Sequence, residues 1–157
     1  MLRPELVLRV PAGTTAIPLF TNVVIETITV SVIHEIMWAT SQSDLGNGTS
    51  SAITNVPVNL LTVGGRATNC TVRQAYTADT SAYVNTAEVY RKGITTATII
   101  TGVELLSYDW SPVNNQTPVV LVGPASLALH IASGTTAPTI FARVVWAEFL
   151  STELGYA

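Results

Sequence analysis

Apolar and polar positions alternate with a period of two along most of this chain, the pattern of strands with one face inward. Leu6, Leu8 and Val10 alternate with Glu5, Val7 and Arg9, which predicts a first short strand after Pro4. A Pro11-Ala-Gly-Thr-Thr turn follows, then a strand near 16–20 that Pro18 places at an edge or beside a bulge. Residues 23–38 form the longest extended stretch, with Ile28, Val30, Val32, His34, Ile36 and Trp38 in phase. That length exceeds an ordinary strand, so a bend or bulge should divide it. Residues 41–52, with Gly46-Asn47-Gly48, read as a polar loop at a sheet tip. Extended structure resumes over 53–63, with Pro57 marking an edge and Gly64-Gly65 a stop, and again over 70–76 and 94–108. Residues 79–93 read two ways. Tyr83, Ala87 and Tyr90 share a helical face, whereas Tyr83, Asn85, Ala87 and Val89 alternate; the spacing, with Gly93 as a stop, favours one short helix or turn. Residues 109–115 read as a turn-rich loop.

The C-terminal stretch 117–149 organises the rest. It holds three β-rich runs, 119–122, 126–132 and 139–149, separated by turn signals. The middle run alternates cleanly, with Leu127, Leu129 and Ile131 opposite Ser126, Ala128 and His130, as a half-buried strand does. The last run is apolar on both faces. Ile140, Ala142, Val144 and Trp146 line one; Phe141, Val145, Ala147 and Phe149 line the other, interrupted by Arg143. One domain has one core, so the second face needs a second partner. The expectation is that both faces are covered: Ile140/Ala142/Val144/Trp146 complete the core and Phe141, Arg143, Val145 and Phe149, with His130, face another subunit, or the two faces of the strand exchange these roles.

Val, Ile and Thr make up about a third of the chain, and branching at Cβ suits all three to the pleated surface. With no βαβ rhythm, internal repeat or heptad, the expected fold is all-β: a single antiparallel jelly-roll-like sandwich spanning 1–157, with about eight strands and at most one short helix. One cysteine, Cys70, removes the Cys–Trp–Cys pattern of immunoglobulin domains and any internal disulfide.

Composition narrows the function. The chain is 48% hydrophobic and only 11% charged, against about 25% charged for an average soluble protein. The mean hydropathy is +0.42, yet no run reaches the roughly 20 apolar residues of a membrane helix. Protein rather than lipid is the expected cover. Net charge is −3, and Arg3, Arg9, Arg66, Arg73, Arg91, Arg143 and Lys92 form no cluster, so no nucleic-acid partner is expected. The first residues lack the apolar core and cleavage site of a secretory signal, which points to synthesis in a cytosol.

No motif names a chemistry. His34, between Val32 and Ile36, reads as a core or interface histidine; His130 reads as solvated or subunit-facing. There is no His/Cys cluster for a metal, no Gly-x-Ser-x-Gly elbow, no phosphate loop before a helix, and no selected pair of carboxylates. No catalytic residue, cofactor or metal is therefore expected. Trp110, in the loop after Tyr108, is the candidate for an exposed aromatic that stacks on a sugar.

Asp109-Trp-Ser-Pro, then Pro118-Val-Val-Leu-Val, an alternating Leu-Ala-Leu strand and a final Val-Val-Trp-Ala-Glu-Phe strand together resemble small jelly-roll virion proteins of tailed bacteriophages. That group includes head decoration (cement) proteins and the TNF-like heads of some fibres. The likeness covers residues 109–149; the family's Pro-Gly-Glu turn is here Gly123-Pro124-Ala125. It implies a homotrimer bound to the major capsid protein or other virion proteins, located in the virion, with no catalytic residues to carry over. A decoration protein that stabilises the head is the leading expectation. A glycan-binding fibre or baseplate tip, or the coat subunit itself, is the alternative.

Overall fold

A computed structural model describes residues 4–28, 33–45, 49–53, 67–78, 83–95, 100–115, 118–133 and 138–155. Its strands are β1 (Leu6–Val10), β2 (Thr14–Ile28), β3 (Ile33–Ser41), β4 (Thr49–Ala52), β5 (Thr71–Ala78), β6 (Ala87–Thr95), β7 (Ile100–Trp110), β8 (Leu121–Val122), β9 (Ala125–Ser133) and β10 (Thr139–Leu150). A one-turn helix α1 (Pro112–Asn115) precedes β8, and a 3-10 turn (Ser151–Leu154) follows β10. All described strand pairs are antiparallel. A six-stranded sheet, ordered β4-β5-β1-β9-β3-β6, packs on a four-stranded sheet in which β2 lies between β10 on one side and β7 and β8 on the other. The protein is an all-β sandwich.

The period-two pattern builds the core. Leu6 and Leu8 of β1, Leu127 and Leu129 of β9, and Ile36 and Trp38 of β3 point inward from the larger sheet. Val23 and Ile25 of β2 and Tyr108 and Trp110 of β7 meet them from the smaller one. Full burial of each large side chain stabilises the fold by about 1.5–3 kcal/mol. Two local irregularities keep this phase. Phe20 pairs with Val145 and Pro18 with Trp146, so Leu19 is an extra residue that bulges outward, 47% exposed. Pro18 itself falls between the part of β2 paired to β8 (Thr15, Ala16) and the part paired to β7 (from Thr21), where its missing N–H interrupts neither ladder. In β6, Tyr90 pairs with Trp38 and Glu88 with Ala39, so the extra residue Val89 packs on the core beside Tyr90.

The chain crosses between the sheets at both ends of the sandwich: between β1 and β2 and between β8 and β9 at one, and between β2 and β3, β6 and β7, and β9 and β10 at the other. The crossing from β2 to β3 divides the 23–38 stretch as its length required. The helix favoured within 79–93 is not formed where the chain is described: residues 87–95 are strand β6, because pairing with β3 and burial of Val89 and Tyr90 outweigh a weak helical stripe. A helical turn instead occupies residues 112–115, expected as loop. The strand expected over 53–63 lies outside the described residues beyond Ile53, as do Gly64-Gly65, Gly46-Asn47-Gly48 and residues 79–82.

Hydrogen bonds close the end at which β1 leads into β2. The Gly123 N–H donates to the Thr14 carbonyl at 2.9 Å, and the Ser151 N–H to the Gly13 carbonyl at 2.9 Å. The buried hydroxyls of Thr15 and Ser151 meet at 2.9 Å. Gly123 has no room for a side chain: a Cβ there would lie 1.9 Å from the Pro11 carbonyl oxygen. Gly123→Ala should therefore force the backbone apart and cost about 1–3 kcal/mol in chemical denaturation. Gly93→Ala, whose methyl meets nothing nearer than the His34 carbonyl oxygen at 4.0 Å, should stay within about 0.5 kcal/mol of wild type.

Candidate interaction surface

A sandwich leaves two sheet faces outside its core, and here they differ. The outer face of the six-stranded sheet is covered by the chain's own segments. Val7, Leu45, Tyr76 and Ala128 form a second buried cluster, with Tyr83 packed against it. The segment after β3 is tied down across this face: the Leu45 N–H donates to Ser126 Oγ at 3.1 Å, Ser126 Oγ donates to the Ser43 carbonyl at 2.8 Å, and Tyr76 Oη donates to the Leu45 carbonyl at 3.0 Å. Arg9 grips Asp44 through both carboxylate oxygens, and the bonding to Asp44 raises the Arg9 pKa. Residues 41–45 are thus a flap on the sheet rather than a polar tip.

This flap corrects the reading of His130. It lies in the interior rather than facing solvent or a subunit, with Tyr83 Oη 3.0 Å from its Nε2 and the two rings stacked at a tilt, centroids 5.7 Å apart. His34 is fully buried on the inner face at the start of β3, and burial lowers its pKa. Neither of its ring nitrogens has a hydrogen-bond partner among the described residues.

The outer face of the four-stranded sheet carries no such cover among the described residues. In β10, Ile140, Ala142, Val144 and Trp146 pack on the core as expected. Phe141, Arg143, Val145, Ala147 and Phe149 take the other side, with Phe141 57% exposed. Register sets their neighbours on β2: Phe141 beside Val24, Arg143 beside Asn22, Val145 beside Phe20 and Ala147 beside Ile17. The result is an apolar surface crossed by one polar band. Asn22 Nδ2 donates to Asp109 Oδ1 at 2.5 Å and to Ser107 Oγ at 2.7 Å. Arg143, at the other end of the band, makes no hydrogen bond or ion pair within the described residues. Phe141, Arg143, Val145 and Phe149 are therefore brought together on one face, without His130. The β2 contribution was missed in the sequence because Phe20 and Val24 were assigned to two separate strands, 16–20 and 23–38, whereas one strand carries Phe20, Asn22 and Val24 as a single outward row.

Trp110 is not an exposed aromatic. It is 1% exposed, the last residue of β7, opposite Thr21 and in phase with Leu106 and Tyr108. Extending the alternation by one more step past Tyr108 would have placed it inside.

Candidate chemistry is sparse. Among the described residues no group of His, Cys, Asp and Glu converges to hold a metal, and no helix is long and apolar enough to cross a membrane. Burial, reinforced by Glu148, pushes the Cys70 thiol upward, away from the thiolate a nucleophile needs. Glu35 and Glu88 both bind Arg91 on the exposed side of β3 and β6, at 2.6 and 2.7 Å. Comparison with family models, curated proteins and solved structures finds no match for this chain.

Glu148, on the inner side of β10, pins that strand to the segment entering β5. It accepts from Thr68 Oγ1 at 2.6 Å, the Asn69 N–H at 2.7 Å, the Cys70 N–H at 3.3 Å and Trp146 Nε1 at 3.4 Å. Burial alone would raise its pKa, but the donors at Thr68, Asn69 and Cys70 together outweigh burial and hold it below the usual carboxylate range. A depressed folded pKa means stability that is present above the unfolded value of about 4.3 and lost as pH falls through the folded one. Glu148→Gln should thus cost about 1–3 kcal/mol at neutral pH, and the gap to wild type in denaturant midpoints should close below about pH 4.

Proposed function

We propose that this protein is a structural subunit that self-associates through the outer face of its four-stranded sheet and serves in a virion. In this reading it is a head decoration protein that binds the major capsid protein. One observation carries the self-association: Phe141, more than half exposed, and Val24 beside it share the outer face with Val145 and Phe20, the two apolar pairs flanking Arg143 and Asn22. Apolar side chains grouped in this way on an outer sheet face mark an interaction site. A closed symmetric ring, a trimer in the expected form, covers such a patch without open-ended growth.

The virion assignment rests on the likeness of residues 109–149 to small phage virion proteins, and on a chain with few charges and a single lysine. The nested pairing of β2 with β10 and of β3 with β9 is in keeping with a jelly-roll wrap. The glycan-tip reading loses its candidate residue, since Trp110 lies in the core. A coat subunit differs from a decoration protein in copy number, which quantitative mass spectrometry of purified particles reads directly.

Native mass spectrometry tests the self-association. The wild-type chain should be a single oligomer at micromolar concentration. Phe141→Glu and Val145→Glu should each weaken it by roughly tenfold or more while leaving the circular dichroism melt in place. A monomeric wild type would overturn the proposal.

A further inference from the structure

We infer that the occupant of this surface is a second copy of the chain held in one register, with Arg143 of one copy paired to Asp109 of the next. The inference rests on the self-association proposed above and specifies it. Asn22 is the reference point: Arg143 lies opposite it on β10, and Asp109 lies opposite it on β7. Strands in a sheet are about 4.8 Å apart, so the cation and the anion stand roughly 10 Å apart at one level, on either side of β2. Arg143 has no partner within the described residues. Asp109 spends Oδ1 on Asn22 and Ser107, and its Oδ2 takes no hydrogen bond among the described residues.

The placement discriminates between ways of stacking two such faces. Laying β10 on a neighbour's β10 at matched level brings Arg143 onto Arg143 in apolar surroundings, where like charges oppose association. Turning one face about an axis along β2 lays β10 over the neighbour's β7 and keeps the level. Arg143 then falls on Asp109, and the reciprocal pair forms by symmetry. A ring of three in which the β10 side of each copy overlaps the β7 side of the next makes the same pair. In both cases Phe141 and Val24 on one side, and Val145 and Phe20 on the other, surround the ion pair and keep water from it. Exclusion of water strengthens the pair, and its main effect is on register.

Charge exchange in the full-length chain, read by sedimentation velocity with circular dichroism melts as the folding control, tests this. Arg143→Asp and Asp109→Arg should each weaken self-association by roughly 30-fold or more, and the double exchange should restore it. Mixing the two single variants should regenerate the complex when the ring has an even number of copies. With an odd number, alternation cannot close, and only the double exchange should do so. If a charge reversal unfolds the chain, Arg143→Gln and Asp109→Asn serve in its place, each weakening association without reversing a charge. Wild-type association in both single variants, or a folded double variant that stays dissociated, would overturn the pair while leaving the apolar interface standing. A wild type that never associates would instead overturn the reading on which the pair rests.

Discussion

Two sheets present four faces, and one shared core covers only two of them. The two remaining faces of this protein are treated in different ways. Across the six-stranded sheet the chain supplies its own cover, with Leu45 and Tyr76 folded over Val7 and Ala128 and polar anchors at Ser126, Arg9 and Tyr83. Across the four-stranded sheet nothing described does the same, and the residues there are not the Thr, Lys and Glu of a solvated face. Phe141, Val145, Phe20 and Val24 stand outward instead. Among the described residues polar cover is used on one side only, which makes the other side the more telling of the two.

A surface of this kind is useful only if it is held in shape. β10 is an end strand of its sheet, but it is fixed along its whole length by β2 and at its C-terminal end by two further devices. Glu148 gathers donors from residues 68–70, and Ser151 bonds to Thr15 and Gly13. The outward apolar side chains are therefore presented on a strand with little freedom to lose on association, which lowers the entropic cost of an interface.

Much of the fold was legible because period-two alternation reports directly on strands. β1, β5, β9 and β10 fall close to where the alternation put them, and the inward side of β10 was assigned correctly. Burial of the opposite side is less legible, because alternation cannot say what covers the second face. β9, with a clean apolar and polar alternation, is buried from Ala125 to His130 on both faces, since the flap at 41–45 and Tyr83 lie over it. β10, apolar on both faces, keeps Phe141 exposed. Small and polar residues such as Ala128 and Ser126 admit a covering loop and bond to it, so a mixed face can be the drier one. Bulges disturb the pattern elsewhere: single extra residues at Leu19 and Val89 shift the phase, and a periodicity count runs straight through them.

The β2–β10 ladder also sets a condition on synthesis. Its two strands lie at opposite ends of the sequence, and β1 and β3 likewise await β9. Pairings so distant close slowly, because loop-closure entropy must be overcome before the contacts form. During translation β2 emerges early with a partner on neither side, carrying the apolar residues of both its faces. Every nascent chain thus passes through a stage in which half of a hairpin-like ladder is exposed to its neighbours on the polysome. High expression of such a protein favours encounters between unfinished chains, and the yield of folded subunits then depends on how fast the last strand arrives.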